Sequence, residues 1–171
     1  KYLKKRDNEE NIVNKLKTLL NYSVRQQINA DVPVGILLSG GVDSSLITAF
    51  ASNNSNKINT FTFVKDKNAH NDFELNNSRN ISKYFSTNHN EIYYPEINAS
   101  IIYRISDFID DPIFDSSIIP TFLITKEIKK YCTVALGGDG GDELFGGYDH
   151  YLRLLKLAKV KKFLPKFFLK K

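Results

Sequence analysis

A chain of 171 residues is long enough for a domain that buries roughly 70% of its unfolded surface, and 42% hydrophobic with 25% charged residues is an ordinary globular balance. No apolar run approaches the roughly 20 residues that span a bilayer and no signal peptide is legible; the single cysteine, Cys132, excludes a disulfide framework and a multi-cysteine metal site, so a reducing, cytoplasmic setting is expected. The net charge of +5 is local, because residues 151–171 hold eight Lys/Arg and no acid while the rest carries 16 basic against 19 acidic residues, so a solvated helix face is expected there rather than a nucleic-acid surface.

In chain order, residues 8–29 place Ile12, Leu16, Leu20, Val24 and Ile28 four apart, widened by Val13 and Leu19, which predicts an amphipathic helix. Val34-Gly35-Ile36-Leu37-Leu38 is a short apolar run of the kind found in parallel strands covered on both faces. A glycine-bearing loop and a helix over 44–51 follow. The alternation continues with a strand over 58–64, helix 72–85, strand 91–94, helices 99–109 and 118–131, strand 134–136, and a basic amphipathic helix over 151–164 that Pro165 ends. Strands alternating with helices predict an α/β fold, a doubly wound, mostly parallel sheet with helices on both faces. The expected domains are 1–150, including the helix 8–29, and a basic tail 151–171. The chain has no Met and opens Lys1-Tyr2-Leu3, which reads as part of a longer protein.

Ligands of such sheets sit at the carboxyl ends of strands, and glycine-rich segments follow two predicted strands directly. The first is Ser39-Gly40-Gly41-Val42-Asp43-Ser44-Ser45. Its glycines let backbone approach a polyphosphate, N–H groups at the helix start point at the anion, and the serines add hydroxyl donors. A lysine is missing and Asp43 stands in the loop instead. A carboxylate beside a phosphate chain requires a bridging cation, for which magnesium is the natural choice. This string resembles the loop of the N-type ATP pyrophosphatases, which cleave ATP between the α and β phosphates and retain an adenylated substrate.

The second segment, Gly137-Gly138-Asp139-Gly140-Gly141-Asp142-Glu143-Leu144-Phe145-Gly146-Gly147-Tyr148, has six glycines in its first eleven positions and three acids. Backbone there approaches a ligand closely while the acids project charge. If Asp142 faces Asp43, the two flank a pyrophosphate-bound magnesium. With Asp111-Pro112-Ile113-Phe114-Asp115-Ser116-Ser117-Ile118-Ile119-Pro120 between the two segments, the chain resembles the synthetase domain of the glutamine-hydrolysing asparagine synthetases over about residues 34–148.

The resemblance implies an adenine nucleotide alpha hydrolase-like fold and ATP-dependent amide synthesis, in which aspartate is adenylated, pyrophosphate leaves, and ammonia from glutamine displaces AMP. It implies ATP phosphate contacts at Ser39, Gly40, Gly41, Ser44 and Ser45, and adenosine contacts at Leu37, Phe63 and Gly138. Asp43 and Asp142 take magnesium, and Asp139 falls where the family often places a glutamate that assists ammonia attack. Gly137 and Gly141 stand where serines are common, so these departures bear on substrate choice more than on ATP use. The family's N-terminal glutaminase domain, the source of ammonia, has no counterpart in these residues, and a later lysine-bearing region has none unless one of the tail lysines substitutes for it.

Alternatives are an amidotransferase for another carboxylate, such as one acting on a surface sugar, a catalytically incomplete ATP-binding module, and a tRNA-modifying relative favoured by the basic tail alone. Cys132 is expected as a buried small hydrophobe. His70, His89 and His150 lack metal-ligand spacing. Glu74 and Arg79 are expected on a solvated helix face, and Phe145, Tyr148 and Tyr151 in packing. The oligomeric state is not legible.

Overall fold

The computed structural model describes residues 8–55, 57–64, 72–94, 97–111, 115 and 117–163. Residues 112–114 of the Asp-Pro segment, His70 and Pro165 lie outside them. Two compact units divide the chain, Lys1–Gly137 and Gly138–Lys171.

The first unit opens with α1 (Glu9–Ile28), whose first turn carries Glu9 and Glu10 and whose last carries Arg25, each sign opposing the helix dipole. Its apolar stripe is used at one end only. Val24 is buried, with Leu20 and Ile28 packed beside it, whereas Ile12, Val13 and Leu19 are exposed. Strand β1 (Val34–Leu37) leads through the first glycine loop into α2 (Val42–Ser52), and β2 (Asn59–Val64), α3 (Phe73–Tyr84), β3 (Asn88–Tyr93), α4 (Ala99–Ser106), α5 (Ile118–Ile128) and β4 (Val134–Leu136) follow. Asp72 caps α3 by accepting the N–H groups of Glu74 and Leu75 at 3.0 and 3.3 Å.

All strand pairs are parallel, in the order β3-β2-β1-β4. Because side chains alternate across a strand, β1 feeds two cores. Ile36 joins Val24, Phe50, Ala51 and Ile58 under α1 and α2. Leu37 joins Phe61, Phe63, Ile92, Ile124, Ile128 and Cys132 under α5. Helices therefore cover both faces, as the alternation predicts. Gly35 is buried against the second core: a Cβ there would lie 2.4 Å from Phe61 Cε2 and 2.9 Å from Cys132 Sγ.

The α3 side of β2 is polar. Thr60, Thr62, Ser78 and Ser82 are buried, and Thr60 Oγ1 lies 2.8 Å from Thr87 Oγ1 and 3.0 Å from His89 Nδ1. Arg79 is not a free member of a solvated face, because its guanidinium donates from Nε and Nη2 to both carboxylate oxygens of Glu91 on β3 at 2.5 and 2.8 Å. That fork holds the Glu91 carboxyl below its ordinary range.

The second unit holds α6 (Gly141–Phe145), a single turn where sequence suggests only loop, and α7 (Asp149–Phe163). No helix among the described residues is long and apolar enough to cross a membrane.

Candidate nucleotide site

The β1 ladder continues one residue past the strand, with the Leu38 N–H donating to the Phe61 carbonyl at 2.8 Å. Ser39 is exposed, Gly40 turns the chain at φ 81°, and Gly41 serves as the N-cap of α2. Gly41 makes no side-chain cap, so the first-turn N–H groups of α2 are left for an anion or water. The two glycines do different work. A Cβ on Gly41 would meet only Ser39 Oγ at 3.4 Å, while one on Gly40 would fall 2.4 Å from the Glu74 carbonyl oxygen, 3.0 Å from Asn77 Cβ and 3.1 Å from Ser78 N. Gly40 is thus the point where the loop seats on α3.

The serines also divide. Ser44 is buried, and its Oγ accepts the Ser39 N–H at 3.2 Å while lying 3.0 Å from Ser39 Oγ and 3.3 Å from the Gly41 carbonyl. Its one proton goes to either of those two acceptors, so Ser44 braces the loop from inside. Ser45 donates to the Gly41 carbonyl. Asp43 is half-buried in the first turn of α2. Leu37 and Phe63, on adjacent strands, share the face that packs on α5, and Phe63 stands edge-on to Tyr94 with ring centroids 4.9 Å apart. Leu37 also lines an open pocket of about 420 Å³ with Ile128, Cys132 and Ala135. A cavity of about 460 Å³ between α4 and α5 is walled by Ile102, Ile105, Ile109, Ile118 and Ile119 and is lined by none of the loop residues.

β4 is the immediate neighbour of β1 in register Ile36↔Leu136, so the chain leaves both strands at the same edge of the sheet, at Leu38 and at Gly137. In the second unit Gly138 is half-buried and its carbonyl accepts the Gly141 N–H at 3.3 Å. Asp139 is exposed and Asp142 half-buried, the latter in the first turn of α6. Gly140 and Gly146, at φ 89° and 71°, bracket that turn. The Asp142 carbonyl collects the N–H groups of Gly146 and Gly147 at 2.8 and 3.0 Å, and a Cβ on Gly147 would overlap Asp142 Oδ1 at 1.9 Å. Glu143 is engaged: Tyr148 donates its phenol to Glu143 Oε1 at 2.5 Å, which lowers the carboxyl and pushes the phenol up to about 12. Of the three acids, Asp139 and Asp142 therefore keep carboxylates not claimed by that tyrosine.

The expected site residues thus fall into a set in the first unit, Leu37, Ser39 to Ser45 and Phe63, and a set in the second, Gly138, Asp139 and Asp142. Among the described residues no three His, Cys, Asp or Glu side chains gather as a metal cage. Magnesium, held through one or two carboxylates with phosphate oxygens and water, needs none. Sequence reasoning missed the seat of Gly40 on α3 and the Tyr148–Glu143 bond; the spacing of five between a tyrosine and an acid across two glycines was the only signal for the latter.

Residues 15–170 match the family model described as asparagine synthase. Asparagine synthetase (glutamine-hydrolyzing) 1 of Bacillus subtilis is 35% identical over 161 residues, covering 90% of this chain and 24% of that protein. Putative asparagine synthetase (glutamine-hydrolyzing) 2 of Methanocaldococcus jannaschii is 34% identical over 162 residues, covering 93% and 31%. The chain thus spans between about a quarter and a third of the length of these curated relatives. Among solved structures, an NH3-dependent NAD synthetase from Campylobacter jejuni superposes with a TM-score of 0.54 at 16% identity, over 79% of this chain and 60% of that one, and so shares its fold.

Proposed function

Because the chain belongs to the asparagine synthase family, we propose that it is the ATP-binding part of an amide ligase that adenylates the side-chain carboxylate of aspartate. In the first step an aspartate oxygen attacks the α-phosphorus of ATP and pyrophosphate leaves. In the second, ammonia released from glutamine attacks the acyl carbon, the C–O bond to AMP breaks, and asparagine forms with loss of a proton.

The observation that carries this reading is the turn from Ser39 to Ser45, where a cap without a side chain leaves the first-turn N–H groups of an 11-residue helix available to phosphate. We assign phosphate contacts to Ser39, Gly41 and Ser45, with Gly40 and Ser44 holding the loop in shape. The adenosine lies beside Leu37 and Phe63, and the pocket at Leu37 supports that side of the sheet. We assign Gly138 to adenosine by family resemblance alone. Asp43 in the first unit and Asp142 in the second are the carboxylates assigned to magnesium, and their half-buried positions suit acids that keep one face toward solvent and ligand. Magnesium, when bound, neutralises charge on the departing pyrophosphate. Asp139, exposed and unclaimed by Tyr148, is assigned to the proton lost when ammonia attacks. Residues 1–150 form the pyrophosphatase domain on this reading and 151–171 its basic tail, of which 164–171 lie outside the described residues; the reaction takes place in the cytoplasm.

The test is isotope exchange in the full-length protein. Labelled pyrophosphate enters ATP only when aspartate is present; exchange that ignores aspartate refutes the substrate, and no nucleotide binding at all refutes the site. A second reading, another acceptor carboxylate, is favoured by the aspartate at position 139, one methylene short of the family's usual glutamate. Exchange stimulated by a different carboxylate and not by aspartate selects it.

A further inference from the structure

We propose that Thr62, on β2, is a positioning residue for the phosphate loop, acting through one peptide plane. This rests on the nucleotide reading given above. Thr62 falls within the strand expected over residues 58–64, where the sequence alone gives it no role. In the structure its hydroxyl donates to the Leu38 carbonyl at 2.5 Å, and Thr62 and Leu38 are 3% and 1% exposed. Leu38 is almost wholly buried, so the threonine hydroxyl satisfies a carbonyl that has no other partner among the described residues.

The Leu38 carbonyl and the Ser39 N–H belong to the same planar peptide. Thr62 fixes its oxygen, and Ser44 Oγ fixes its N–H at 3.2 Å. The orientation of that plane decides which way the chain leaves the sheet and where the Ser44 hydroxyl sits. Two residues on, Gly40 sits close against α3, where even a Cβ would fall 2.4 Å from the Glu74 carbonyl oxygen and 3.1 Å from the Ser78 nitrogen, which leaves the loop little room to compensate. Thr62 and α3 thus hold the loop on either side of Ser39. Without the Thr62 hydroxyl the plane is free to rotate, which withdraws the Ser39 N–H from Ser44 and moves the exposed serine and the cap of α2 that meet phosphate.

The experiment compares Thr62→Val, which keeps shape and deletes the donor, with Thr62→Ser, which restores it, in the full-length protein. Binding of MgATP and of adenosine is measured by titration calorimetry. We expect T62V to bind MgATP about tenfold more weakly, the scale of one buried hydrogen bond, to bind adenosine as the wild type does, and T62S to recover MgATP affinity to within about twofold. If T62V does not fold, Thr62→Cys, a poor donor of similar size, takes its place with the same expectation. Equal losses for MgATP and adenosine, or no recovery in T62S, overturn the proposal, since a merely structural threonine would act on both ligands alike. A wild-type protein that binds neither ligand refutes the nucleotide reading itself. Wild-type binding matched by T62V refutes the role of Thr62 alone.

Discussion

Replacing Gly40 by alanine separates the seating of the loop from its chemistry. Two costs arise at this position and neither involves nucleotide. An L-residue at φ 81° is in the left-handed region, at roughly 1–2 kcal/mol. Its Cβ is also placed 2.4 Å from a backbone carbonyl oxygen of α3, which cannot swing aside as a side chain can, and overpacking of this kind costs roughly 1–3 kcal/mol. About 3 kcal/mol is therefore expected, which at an m-value of roughly 2 kcal/mol per M moves the urea midpoint down by about 1.5 M. Gly41→Ala is the control. That residue has φ −76° and only Ser39 Oγ, at 3.4 Å, in its way, so its cost is that of alanine replacing glycine as a helix cap, about 1 kcal/mol or less, and its midpoint shifts by about 0.5 M or less. Both variants are unfolded without nucleotide and followed by circular dichroism. Equal midpoints for G40A and G41A would refute the claim that α3 seats the loop.

Two further outcomes follow from the cores. Gly35→Ala crowds the Phe61 ring and Cys132 Sγ and costs roughly 1–3 kcal/mol; Phe61→Leu in the same chain relieves part of that, giving a favourable coupling of about 0.5 kcal/mol or more in a double-mutant cycle, and strict additivity would show that the contact is not felt. His89 is held neutral chiefly by burial, with Glu91 opposing and Arg79 reinforcing that effect, and its Nε2 is buried with no partner among the described residues. Its folded pKa lies below the unfolded 6.5, so the unfolded chain binds more protons between the two values and stability falls as pH drops below about 6.5. The urea midpoint of the wild type should therefore decrease from pH 7.5 to 5.5 by more than that of His89→Asn, and identical slopes would remove His89 from the account.

Periodicity carried most of the fold because parallel strands buried on both faces read as apolar runs whatever their neighbours are. It could not tell the two glycines of the first loop apart. Both Gly40 and Gly41 read as room for phosphate, yet only the packing of α3, more than thirty residues on, shows that Gly40 is already filled by protein. The same holds for Ser44, whose hydroxyl is listable as a donor from sequence but turns inward in the fold. Eight of the nine glycines lie in the two loop segments, which made those segments easy to see and hid the single turn of α6 within the second. The early start of β3 at Asn88 was obscured because Asn88, His89 and Asn90 are polar and join the sheet through backbone pairing, with no apolar run to mark them. Arg79 is exposed as expected, but its pairing was not legible because its partner Glu91 sits on another element.

The register between β1 and β4 sets a timetable for synthesis. β1 meets β2 through residues 24 positions apart, as in Gly35↔Asn59, but meets β4 through residues 100 apart, as in Ile36↔Leu136. At roughly 5–20 residues per second on the ribosome, the outer edge of β1 waits on the order of 2–9 s for its partner after the β1–β2–β3 half is complete. During that interval an apolar strand edge is open to foreign pairing. The strand that delivers the second glycine segment is therefore also the one that closes this open apolar edge of the nascent chain.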